Sequence, residues 1–359
     1  MPSTDRFPAA RPRRIALTLA LAALAGLFAQ AFGLPLPWMI GPLFAVAGAQ
    51  VAGARLQALP GGRHAGQWAI GAALGLYFSP LVVAQLAVHA PLLVGAAFAA
   101  LAFGAACALL TLRLAGVDAP TAFFASLPGG ASEMANLADR WGGAVDRIAA
   151  AHALRIMLVV SVVPFALTLA GAQGTDLQAP LARAMDWARF PLLVAASLAG
   201  VALFRLLRIA NGWVLGPLTG VGLLTALDVP LSALPAWLVN GGQLLIGCSL
   251  GCRFSPEFFR AAPRFMSAAA LSAALSIVLG VGLAMALAAL SDVPLATLSL
   301  ATAPGGVAEM CVTAKVLQLG VPLITACHVL RLAVLTLGAA PAYGVFRCVV
   351  GATAARTLD

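Results

Sequence analysis

Charge is scarce in this sequence. Only 9% of its 359 residues are Asp, Glu, Lys or Arg, where a soluble domain usually carries about 25%. With 62% apolar residues and a mean hydropathy of +1.00, a water-soluble fold is excluded. Lysine is nearly absent: the cations are 20 arginines and the single Lys315. Although the net charge is +9, the arginines stand in short groups beside apolar runs. They form no basic stripe, so nucleic acid is not an expected partner, and they read instead as determinants of membrane topology. The four histidines (His64, His89, His152, His328) are scattered, with no HxH or HxxxH pair, which removes the ligand cluster a metal-dependent oxygenase would need. None of the six cysteines sits in a CxxC pair, so no disulfide or zinc framework is expected. No phosphate loop suggests ATP-driven pumping. No metal, cofactor or enzymatic activity is expected.

What the sequence does have is itself, twice. Pro37-Trp38-Met39-Ile40-Gly41-Pro42 is echoed by Gly212-Trp213-Val214-Leu215-Gly216-Pro217, an offset of 175. Gln67, Ile70, Gly71, Leu74, Gly75, Phe78, Ser79 and Pro80 recur 176 residues later as Gln243, Ile246, Gly247, Leu250, Gly251, Phe254, Ser255 and Pro256. Pro128-Gly129-Gly130-x-x-Glu133-Met134 recurs as Pro304-Gly305-Gly306-x-x-Glu309-Met310, and His152-x-x-Arg155 as His328-x-x-Arg331, again at 176. Repeats of this length mark duplicated structural units. The chain divides into a first transmembrane repeat at 12–170, a periplasmic linker at 171–186, and a second transmembrane repeat at 187–350.

Each half holds five apolar runs near the ~20 residues that cross a bilayer: 15–32, 34–53, 64–79, 91–112 and 147–170, then 190–207, 213–228, 236–252, 265–290 and 321–346. The first run follows Arg11, Arg13 and Arg14 and ends in Ala29-Gln30-Ala31, which imitates a cleavable signal peptide. Its counterpart 190–207, preceded by Arg189, makes it part of the fold. Between the fourth and fifth runs of each half, 118–141 and 293–317 read as two short arms around Pro-Gly-Gly. Arms of about ten residues reach roughly 15 Å, half the hydrocarbon thickness.

Arginine and lysine accumulate on the cytoplasmic side, which discriminates between two topologies. If the broken elements re-enter without crossing, each half crosses five times and the halves are inverted; 16 of 19 cations then lie inside, and only Arg183, Arg189 and Lys315 outside. If they cross, the same residues divide 11 to 8. The counts favour an all-α polytopic membrane protein of two inverted repeats of five transmembrane helices, each with a re-entrant or broken helix at Pro-Gly-Gly. Both termini would be cytoplasmic. An element that crosses while another run does not would keep the inversion, and counting alone leaves this open.

Broken backbone is tolerated at membrane depth only where protein or a water-filled cavity satisfies it, and transporter sites recur at such breaks. Pro128, Gly129, Gly130 and Pro304, Gly305, Gly306 are therefore candidates to frame a solute site. The helix arm after each tip would turn its unbonded N–H groups and positive dipole end into the gap. Glu133 and Glu309, three residues past each glycine pair, are placed to cap those arms, to carry a proton, or to act as counter-charge. Ser132 adds a hydroxyl that Ala308 does not repeat. Arg155 and Arg331 need buried partners: a glutamate, a free carbonyl, or an anionic substrate. His152 and His328 share a helix face with them and are candidates for proton relay or for hydrogen-bonded core positions.

The paired Pro-Gly-Gly-x-x-Glu-Met motifs, His-x-x-Arg, and Pro-Trp-x-Ile-Gly-Pro together resemble the membrane AbrB family of duplicated bacterial inner-membrane proteins. The resemblance covers almost the whole chain. It departs where Asn211-Gly212 replaces Leu36-Pro37 and Lys315 replaces Asp139, so the two halves of a site need not be equivalent. Members carry labels such as "transcriptional regulator" or "ammonia monooxygenase"; the soluble AbrB DNA-binding regulators share only the name. The architecture is similar to that of the cation/proton antiporter and anion transporter superfamily, which implies inverted repeats, a homodimer, and a substrate domain that slides against a scaffold. The reading that follows is a secondary transporter of a small solute by alternating access, an organic anion among the candidates, with proton or sodium coupling open. The alternative is a membrane-embedded regulator that binds a ligand without moving it.

Overall fold

Proline stands in the first two positions of eight helices, where its missing N–H costs nothing and its fixed φ suits the helix. The computed structural model describes residues 11–174, 185–209, 211–254 and 262–356, the last with side chains to 350. Within them the chain is all-helical, without strands. The first half contains α1 (Pro12–Ala31), α2 (Pro37–Val51), α3 (Gly62–Gly75), α4 (Pro80–Val88), α5 (Ala90–Ala115), α6 (Ala119–Ser126), α7 (Ala131–Asp139) and α8 (Val145–Leu169). The second contains α9 (Phe190–Leu206), α10 (Gly212–Ala226), α11 (Ala236–Gly251), α12 (Pro263–Ala289), α13 (Leu295–Thr302), α14 (Val307–Val316) and α15 (Val321–Arg356). Five of these, α1, α5, α8, α12 and α15, are long and apolar enough to cross a membrane. Leu24, Phe28, Met285 and Leu337 stay exposed on them, as side chains facing lipid would. Arg183, Ser255, Pro256, Arg260 and most of the linker lie outside the described residues.

One expected span is broken. The run 64–79 ends as a helix at Gly75, and α4 leaves it at 88°. Pro80 cannot donate to the preceding turn, and Ser79 Oγ accepts from Val82 N at 3.4 Å to start the new helix. Residues 118–141 and 293–317 each form two short helices separated at the Pro-Gly-Gly corner: α6 and α7, α13 and α14. Asp118 caps α6 through Thr121 N at 2.8 Å.

The helices pack in two groups. One comprises α1, α2, α3, α9, α10 and α11; the other contains α5 to α8 and α12 to α15. Contacts between the groups run chiefly through α3 against α14 and α15, and α4 against α10 and α15.

Glycine holds the first group together across the repeat. A side chain at Gly71 would collide with the Val214 carbonyl, and one at Gly247 with the Met39 carbonyl. These contacts are equivalent under the offset of 175–176, so α3 of the first half packs on α10 of the second, and α11 on α2. Close backbone approach of this kind gains van der Waals contact where the lipid offers no hydrophobic drive.

Candidate functional site

The two Pro-Gly-Gly corners line one chamber. About 70 Å³ in volume, it is bounded by Pro128, Gly129, Gly130, Gly305, Gly306, Glu309, Arg155 and Arg331, with Arg63, Gln67 and Asn211 from the other helix group. Arg155 lies ten residues into α8, about 15 Å by helical rise, near the middle of that helix.

Each arginine binds the carbonyls that its corner exposes. Arg155 Nη1 donates to Leu127 O at 2.6 Å and Nη2 to Gly129 O at 3.3 Å. Arg331 Nη1 and Nη2 donate to Ala303 O and Gly305 O, both at 2.5 Å. The histidine one turn earlier adds a third link: His152 Nε2 lies 2.9 Å from Phe124 O, and His328 Nε2 3.0 Å from Leu300 O. All five acceptor and donor positions match at offset 176. The arginines thus bond to free carbonyls, one of the kinds of partner that the sequence left open for them. The final carbonyls of a helix have no intrahelical donor, and the guanidinium fork reaches two at once. His152 Nδ1 also stands 3.0 Å from Arg155 Nη2; as acceptor there, its ring is neutral and Nε2 donates. Neither histidine is among the residues lining the chamber; each stands behind its corner, against a helix carbonyl.

The glutamates fold back on the glycines. The Glu133 carboxylate occupies the space a side chain at Gly130 would need, and Glu309 does the same at Gly306. Both glycines have ordinary extended φ, so what they supply is room for the carboxylate rather than an unusual backbone angle. Glu309 is buried, 5% exposed, whereas Glu133 is half-buried and Ser132 exposed.

That difference follows from a second cavity. A vestibule of about 860 Å³ lies between the two helix groups, lined by Ser132, Glu133 and Asn136 of α7, Asp146 of α8, Arg63, His64 and Gln67 of α3, Asn211, Trp213 and Arg253. It shares Arg63, Gln67, Ala131 and Asn211 with the chamber. Another vestibule, about 530 Å³, is lined by His89, Gln173, Asp292, Thr297 and Gln318 and shares no residue with the chamber. The first is at the start of α8 and the second just past its end, so they lie at opposite ends of the molecule. The second also adjoins the start of α15.

Arg63, Asn211 and Arg253 were not in the sequence-based set. Arg253, just past the end of α11, has its pKa lowered by desolvation and by the charge of Arg63, with Glu309 opposing; Arg63 and Arg253 line the same vestibule. Asn211 takes φ 55° at the start of α10, as Leu36 takes 49° before α2. Its Nδ2 stands beside Gly130. The available signal was departure from the repeat: the counterparts of Arg63, Arg253 and Asn211 are Val239, Tyr77 and Leu36. Among the described residues no group of three His, Cys, Asp or Glu is placed to hold a metal.

The family model described as "Transition state regulatory protein AbrB" matches residues 38–347. "Putative regulator AbrB" of Escherichia coli K12 is 27% identical over 306 residues, covering 83% of this chain and 86% of that protein. "Uncharacterized protein YhjN" of Bacillus subtilis 168 is 24% identical over 346 residues, covering 87% and 88%.

Proposed function

As a member of the AbrB family, built of helices that suit a membrane, this chain is, we propose, a secondary transporter that moves a small solute by alternating access around the two Pro-Gly-Gly corners. The observation that carries this reading is the unequal exposure of two equivalent sites. The corners share one chamber, yet the chamber communicates with the vestibule at Glu133 and shares no wall with the opposite one. A site open to one side at a time is what transport requires, and the repeat supplies a second state in which Glu309 is the exposed carboxylate and Glu133 the buried one.

The halves are inverted in this reading. Supporting it, α8 starts at one vestibule and its counterpart α15 starts at the other, and the positive-inside count favours five crossings per half. The same count sets the Glu133 vestibule facing the cytoplasm of a bacterial inner membrane. The corners then approach the midplane from opposite leaflets, with α1–α3 and α9–α11 as scaffold and the other helices as the moving body. A homodimer through the scaffold accords with the superfamily resemblance.

The test is uptake in proteoliposomes of a solute found by thermal-shift screening, repeated with Glu133→Gln, Glu309→Gln, Arg155→Ala and Arg331→Ala. Unchanged flux in all four would remove the assignment of the site. A second reading is favoured by the name of the Escherichia coli relative, "Putative regulator AbrB": a membrane-embedded sensor using the same chamber. It requires saturable binding with no flux.

A further inference from the structure

The Glu133 vestibule is lined by two arginines, Arg63 and Arg253, and by two carboxylates, Glu133 and Asp146, each in the first turn of its own helix. We infer that Arg63, Arg253 and Asn211 form a one-sided recognition site for a small oxyanion, such as a carboxylate or phosphate-type group; this rests on the transporter reading and names the substrate class of that same site.

Five helices begin at the joined cavities. The opening residues of α3, α7, α8, α10 and α14 all line them, and each helix start carries roughly half a positive charge with unbonded N–H groups. The three carboxylates present, Glu133, Asp146 and Glu309, all lie in the first turn of a helix, where they offset the dipole of their own element. Arg155 and Arg331 are committed to carbonyls at the ends of α6 and α13. Both keep a buried Nε without a partner. Arg63 and Arg253 have no such assignment. Among the described residues neither makes an ion pair within 4 Å or a hydrogen bond, and Arg63 sits in the first turn of α3, the end of a helix where a cation is disfavoured. Two like charges lining one vestibule, at a junction of helix starts whose carboxylates offset only their own dipoles, leave a positive surplus that an anion would relieve. A guanidinium fork matches an oxyanion in two hydrogen bonds, and the Asn211 amide offers another donor beside Gly130.

The corners repeat; this cationic surface does not. Val239, Tyr77 and Leu36 occupy the equivalent places, so the opposite access route lacks both guanidiniums. An anion would be attracted and held more strongly from the Glu133 side, since a charged cleft with low-dielectric walls concentrates counter-ions.

The field can be read without knowing the substrate. Ser132, exposed in the vestibule, is changed to Cys in full-length protein with Cys252→Ser and Cys348→Ser; the other four cysteines are buried. The reaction of the introduced thiol with anionic sulfonatoethyl methanethiosulfonate is compared with that of the cationic trimethylammonioethyl reagent, each normalised to a free thiol in solution. The normalised anion-to-cation rate ratio is expected to exceed one by about threefold or more at low salt, and to approach one as salt rises, because screening shortens the field. It is expected to fall to one or below in Arg63→Gln/Arg253→Gln and to persist in Arg63→Lys/Arg253→Lys. A ratio at or below one in the parent, or one that salt and the glutamine variant leave unchanged, overturns the anion assignment while leaving the transporter reading intact. If the Ser132→Cys thiol reacts with neither reagent from either side of the membrane, the open vestibule and the transporter reading both fail.

Discussion

Arg331 Nη1 lies 2.5 Å from the carbonyl oxygen of Ala303, the residue that leads into the second Pro-Gly-Gly corner. Arg155 stands in the same relation to Leu127. A guanidinium that satisfies the end of a broken helix holds the break open, and each arginine serves two carbonyls. Removing it orphans buried acceptors at about 1–3 kcal/mol each. Arg155→Ala and Arg331→Ala should both lower the melting temperature of the purified protein in detergent, by similar amounts, because the bonding pattern repeats. A variant with parental melting behaviour would show that the corner finds other donors.

Gly130→Ala and Gly306→Ala should separate fold from site. Both positions have a φ that alanine accepts, and the added methyl would displace the end of a flexible glutamate side chain and, at Gly130, press on the Asn211 side-chain amide. Melting should stay near parental. Moving the carboxylate away from the corner alters the wall of the chamber that the solute would meet, so solute affinity should change by roughly tenfold, about 1.4 kcal/mol. Loss of stability with unchanged affinity would contradict the placement of the carboxylate.

Opposite signs are expected from alanine at two other glycines. Gly71→Ala drives a methyl into the Val214 backbone and should cost about 1–3 kcal/mol, as overpacking does. At Gly48, helical and exposed with nothing within 4 Å, the same change should stabilise by about 0.5–1 kcal/mol. Thermal unfolding of the two variants side by side decides it. A neutral Gly71→Ala would show that the α3–α10 contact can relax.

Topology is open to labelling. With native Cys252 and Cys348 changed to Ser, Ala54→Cys, exposed between α2 and α3, should react with impermeant maleimide only after the inner membrane is opened. Ala188→Cys, exposed before α9, should react in intact spheroplasts. The reverse result would turn the Glu133 vestibule outward and undo the positive-inside assignment.

The Pro-Gly-Gly corners and the His-x-x-Arg pairs were legible because duplication displays them twice, and a polar motif in an apolar chain has few innocuous explanations. The fracture at Gly75 was less so: apolarity persists through 76–79, and only the Ser79-Pro80 pair signals a new helix. Arg63 and Arg253 were visible only as topology charges. Nothing local distinguishes an arginine at a membrane surface from one turned into a cavity.

By itself, then, the sequence determined that the chain is helical and apolar, duplicated, and interrupted at the same place in each half. Those properties follow from composition, hydrophobic run length and proline and glycine placement, all carried by neighbouring residues. Only the tertiary structure decided which carbonyls the arginines bind, that both corners line one chamber, and that the vestibule beside Glu133 opens onto it. Such relations depend on how helices 100 or more residues apart approach one another, and the glycine contacts that fix the approach, Gly71 on Val214 and Gly247 on Met39, acquire their meaning only once the two halves have interlocked.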